Sequence, residues 1–163
     1  MSGRPKLGLT TARQGAVAVL AGAVVGWLLL LAFDAAGSFP PVVPVSLPIT
    51  IALMAIAVAV YSRLLPRRRE QHRASPHESF VALSVGKAMV MTGAAVAGGH
   101  VVYVMRYLQL FDAPLPSERV ILGGITILVS ILLAGAGLLL ERACVIKDND
   151  DDDDDVQGTP SPI

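Results

Sequence analysis

One cysteine, Cys144, stands in the whole chain, so no intrachain disulfide can form and cysteine usage says nothing about redox compartment. Charge is also scarce: Asp, Glu, Lys and Arg make up 16% of 163 residues, against about 25% in a soluble domain. The shortage goes with 53% hydrophobic residues and a mean hydropathy of +0.62. The length suits one domain. The charges that do occur cluster between long neutral runs, which is the pattern of a multi-span membrane protein rather than of a soluble core.

Catalytic and metal-binding patterns are missing too. The chain has no Ser/His/Asp or Cys/His triad, no phosphate-cradling Walker loop, no G-x-G-x-x-G turn and no paired intramembrane carboxylates. No His/Cys/Asp/Glu cluster has metal-ligand spacing. The run "DNDDDDDDV", residues 148–156, begins like a calcium loop but puts Asp153 where such a loop needs Gly and Thr159 where it needs Glu. It reads instead as part of an acidic, disordered carboxyl-terminal tail, residues 147–163. We therefore expect no enzyme, no cofactor and no metal. The formal net charge of zero hides this tail, because seven of the thirteen acids lie within residues 148–155 and the rest of the chain is basic.

Four apolar runs are present: residues 15–33, 42–62, 80–105 and 120–140. Each is long enough to cross about 30 Å of hydrocarbon, which takes roughly 20 helical residues. Backbone facing lipid cannot leave its polar groups unpaired, so each run should be a helix throughout. Pro44 and Pro48 would then fall in the first turns of the second span, where a missing N–H matters least. The first run is too long for a signal-peptide core and lacks a small-residue cleavage site, so it should be retained. The reading is an all-α membrane protein, a bundle of four transmembrane helices over residues 15–146, after a basic amino terminus, residues 1–14.

Orientation follows from Lys and Arg in the short loops. The amino terminus carries Arg4, Lys6 and Arg13, and the second loop carries Arg63, Arg67, Arg68, Arg69 and Arg73. Arg142 and Lys147 follow the fourth run. The first loop has no basic residue and the third has only Arg106 and Arg119. Both termini and the arginine loop should be cytoplasmic, with the loop against the anionic inner leaflet. That loop is short and has no aromatic interleaving, so nucleic acid is not an expected partner.

The segment "LTTARQ", the proline-rich "FPPVVPVSLPIT", then "VGKAMVMTGAAVAGGHVVYVM" and the closing "LLLERACVI" occur in that order. In this respect the chain resembles the actinobacterial family known as domain of unknown function 3180, from about Leu9 to Ile146. The resemblance implies a small four-helix integral protein of the bacterial plasma membrane. It implies no activity, substrate or catalytic residue.

A few residues stand out as candidates. Lys87 lies seven residues after Phe80, about 10 Å into the third helix. There it either snorkels to lipid headgroups or serves a specific site. Glu141, at the same end of the fourth span, is a candidate partner for it, with Arg142 or water as the alternatives. His100 is thirteen residues from Lys87, about 20 Å along the axis and on a nearly opposite face, so the two cannot share a site. It shares a helix face with Gly86, Gly93 and Ala97, where small residues allow close approach. We expect it to hydrogen-bond a neighbouring helix or the outer interface. Gly22 and Gly26, with Ala18, make a small-residue row on the first span, suited to packing within the chain or in a homodimer.

These features favour a non-enzymatic accessory or scaffold working through helix packing, with the lipid bilayer and a second copy or another membrane protein as partners. The alternative is a small transporter component or solute-binding membrane protein using Lys87.

Overall fold

A computed structural model describes residues 9–70, 76–108 and 114–145, with the side chains of residues 67–70, 76, 77, 79, 114–116 and 145 left undescribed. The side chains of Arg67, Arg68 and Arg69, all of Arg73, and the acidic tail thus lie outside the described residues. All regular structure among the described residues is helical: α1 (Ala12–Ala35), α2 (Ser46–Glu70), α3 (Pro76–Leu108) and α4 (Pro114–Val145). Each contains a stretch long and apolar enough to cross a membrane: Ala12–Ala35, Ser46–Pro66, Phe80–Leu108 and Ser117–Cys144.

Local chemistry fixes the ends. Thr11 caps α1: its hydroxyl accepts the Gln14 N–H, and the Gln14 side chain accepts the Thr11 N–H at 3.1 Å. This reciprocal box satisfies two of the free donors at a helix start. At the other end, Gly37 takes φ +63°. The Gly37 N–H reaches the Asp34 carbonyl, and the Ser38 N–H reaches the Phe33 carbonyl. That pattern needs a left-handed residue just past the helix, and glycine adopts it without a Cβ clash. Prolines open α3 and α4, where their missing N–H is no loss.

The second helix departs from expectation at both ends. Residues 42–45 are not helical, and α2 begins only at Ser46. The cause is the cluster Pro40, Pro41 and Pro44, because a residue before proline is pushed out of the α region. Beyond the apolar run, the helix continues through Pro66 to Glu70, so Arg63 and the backbone of the arginine run are helical rather than loop. Leu and Arg on both sides of Pro66 are good helix formers.

Packing order differs from chain order. α1 lies on α3, α3 on α4, and α4 on α2. The consecutive helices α1 and α2 therefore occupy opposite edges of the array, and the 36–45 connection runs across one end. α3 and α4 form the central seam, where backbone meets backbone. A Cβ on Gly86 would stand 3.0 Å from the Gly137 carbonyl oxygen, and one on Gly93 would stand 2.6 Å from that of Ser130. At the end where α1 starts and α4 finishes, Leu65, Ala82, Leu140 and Cys144 form a buried cluster joining α2, α3 and α4. Elsewhere the outer faces are apolar and open: Leu20 is 66% exposed and Leu128 64%.

Candidate functional site

The two ends of the array carry different chemistry. At the end where α1 starts, the deepest polar group is Glu141, with no exposed surface. Its last-turn position on α4 brings it against the α3 backbone at Gly86, where a Cβ would stand 3.2 Å from the Glu141 Cγ. A buried carboxylate must find donors. Both come from Thr10, just before the α1 cap: its N–H donates to Oε2 at 2.7 Å and its hydroxyl donates to Oε1. Glu141 thus ties the start of α1 to α4, although α1 packs along α3. It neither faces water nor pairs with Arg142.

Lys87 follows Gly86 directly but forms no ion pair with Glu141, whose carboxylate is taken by Thr10. The lysine is half-buried. Nearby, the Tyr61 hydroxyl donates to the Glu78 carboxylate at 3.0 Å, bridging α2 and α3. Thr126 and Ser130 are fully buried in α4, and each donates to the carbonyl four residues back, at 2.8 and 2.7 Å.

Both seams of α3 are built from small residues. Gly86 and Gly93 back onto α4. On the other side, a Cβ on Gly22 would collide with the Ala95 carbonyl, and one on Gly98 with the Val19 carbonyl. One on Gly26 would stand 2.8 Å from the Gly99 carbonyl oxygen. The small-residue row of α1 is therefore filled by α3 of the same chain. Ala97 is buried. His100 does not share the neighbour of Gly86 and Gly93: it lines a cleft between α1 and α3. Nor does its Nδ1 reach another helix. It bonds the Val96 carbonyl at 2.9 Å, because that carbonyl, one turn back, is already within reach.

The cleft has a volume of about 510 Å³. Val25, Leu29 and Phe33 of α1 wall it on one side, with Val96, His100 and Tyr103 of α3 on the other. Pro40 and Pro41 cross its end. Two contacts hold that strap: Arg119 donates to the Pro40 carbonyl at 2.8 Å, and the Tyr103 hydroxyl donates to the Pro41 carbonyl at 3.4 Å. The same guanidinium donates to the Tyr107 hydroxyl at 3.1 Å and lies 5.0 Å from the centre of its ring. Arg106 pairs with Asp34 at 3.0 Å across α3 and α1.

Thr10, Asp34, Tyr103, Tyr107 and Arg119 were not singled out by the sequence. A signal existed for Thr10: Thr11 with Gln14 three residues on is a capping pattern that marks the helix start. The others meet across helices and leave no spacing to read. No group of three or more His, Cys, Asp or Glu among the described residues could hold a metal ion.

Among the described residues these observations define an all-helical array with four helices long and apolar enough to span a membrane, with a buried carboxylate at one end and an apolar cleft toward the other. The chain belongs to the family described as protein of unknown function (DUF3180), whose model matches residues 16–148. No curated protein and no solved structure matches the chain.

Proposed function

We propose that this chain is a multi-pass protein of the bacterial plasma membrane, with both termini cytoplasmic, and that it is a non-enzymatic accessory or scaffold acting through helix packing. The observation that carries this reading is the backbone-to-backbone contact through glycine in both seams of α3. Apolar side chains gain little by meeting each other in lipid, so close approach of small residues is what holds helices together there. The open apolar flanks support a bilayer setting, since water does not tolerate apolar surface of this extent. Arg63 and Arg13 at one end, with the arginine run that follows, suit the anionic inner leaflet. The buried Thr126, Ser130 and Glu141 of α4 are hydrogen-bonded within their own helix or by Thr10, as structural polar groups are. A rigid array whose edge helices α1 and α2 face outward is suited to presenting helix faces to another membrane protein.

Reconstitution separates this reading from solute transport at Lys87. Liposomes holding the purified protein should show no solute flux above protein-free vesicles. Crosslinking in native membranes should join the outer faces of α1 or α2 to a defined protein partner. Solute uptake that disappears in Lys87→Ala would overturn the scaffold reading.

A further inference from the structure

We propose that the α1–α3 cleft is a binding site for a neutral long-chain lipid alcohol, with its chain along Val25 and Leu29 and its hydroxyl on His100. This rests on the helices lying in a bilayer and not on the scaffold role. The size is right: about 510 Å³ falls within the roughly 300–1,000 Å³ of small-molecule sites. Access is from the apolar flank. Val25 and Leu29 line the cleft yet stand 56% and 55% exposed, so its mouth opens where hydrocarbon would lie. The end of the cleft nearest the charged rim is crossed by the Pro40–Pro41 strap, which Arg119 and Tyr103 hold down. A molecule already in the membrane can enter; one from water meets the strap.

The chemistry of the head follows from His100. Its Nδ1 bonds a carbonyl, which accepts, so Nδ1 carries the hydrogen. In the neutral ring Nε2 is then an acceptor, and it has no hydrogen-bond partner among the described residues. A ligand with a donor would satisfy it. His100 lies six residues below Arg106 on α3, about 9 Å deeper. A charged head at that depth would face a desolvation cost of several kcal/mol with no free counter-charge, since Arg106 is paired with Asp34 and Arg119 with the strap. An uncharged hydroxyl meets neither penalty. Gly22, Gly26 and Gly99 form the floor, where the backbones of α1 and α3 meet and close the base of the cleft.

The test uses the full chain in lipid nanodiscs and a diazirine-bearing long-chain alcohol. Photolabel should map to peptides of α1 and α3 that border the cleft, and the unlabelled alcohol should compete better than the acid of the same chain. Leu29→Trp should block labelling, whereas Leu28→Trp, exposed but outside the cleft, should not. His100→Ala should weaken binding about fivefold, the worth of one hydrogen bond, and His100→Gln, which keeps an acceptor, should recover part of it. Circular dichroism and size exclusion check that each variant folds. Equal labelling of Leu29→Trp and the native chain, or label spread evenly over every apolar flank, would overturn the proposal. So would a disulfide dimer of Val25→Cys in a Cys144→Ser background that excludes the probe, since the cleft would then be a seam between copies.

Discussion

Glu141 shows how much one residue can depend on distant chain. The sequence places it at the end of the fourth helix and beside Lys87, and there the reading stops. Its partner Thr10 is 131 positions away, and no local spacing can announce such a contact. Burial then decides the energetics. Glu141→Ala leaves the part-buried Thr10 N–H and hydroxyl without their acceptor. A hydrogen bond to a charged group is worth about 1.5–3 kcal/mol, and a loss of that size should appear in denaturant unfolding in detergent. Glu141→Gln keeps one acceptor and should lose about half as much. Lys87→Ala should change stability by less than about 0.5 kcal/mol, as for a side chain without a structural partner. The double variant with Glu141→Ala should be additive within about 0.5 kcal/mol. A larger coupling would show that the two charges do interact.

At the scale of elements, helix number and type were legible because long apolar runs leave the backbone no other option in lipid. Boundaries were less so. α2 starts late because three prolines precede it, and it ends late because nothing after Ser62 stops a helix strongly enough, Pro66 included. The small-residue rows were visible as rows, but composition cannot say which neighbour a row will meet. The structure separates glycines by what surrounds them, and this is measurable. Gly22→Ala and Gly98→Ala put a methyl group into the facing backbone, and overpacking of that kind costs about 1–3 kcal/mol. Gly124 and Gly135 have nothing within 4 Å of a Cβ. Gly124→Ala and Gly135→Ala should therefore be neutral or should stabilise, by up to about 1 kcal/mol, through helix propensity alone. Thermal unfolding of the four variants in one detergent would compare them. If all four behaved alike, close packing of α1 on α3 would not be what holds the first helix in place.

The whole molecule is constrained by which ends lie together. Thr10 meets Glu141, so the start of α1 and the finish of α4 share one end, and the 36–45 connection lies at the other with Arg106 and Arg119. One orientation marker then fixes every helix. The charge bias sharpens once contacts are known. At the far end Arg106 is paired with Asp34, and Arg119 is held by Pro40 and Tyr107. Both have structural partners there, while Arg13, Arg63 and Arg142 at the near end are exposed. Charges of that kind set orientation when they flank short loops. Reporter fusions at Gly37 and Pro116 should therefore signal outside the cell, and a fusion at Arg68 should signal inside. Replacing the basic residues of the 63–73 stretch with Gln should yield mixed signals at all three sites, because the strongest contribution to the bias is lost. A cytoplasmic signal at Pro116 in the native chain would reverse the orientation of the array, and the cleft between α1 and α3 would then open toward the inner leaflet rather than the outer one.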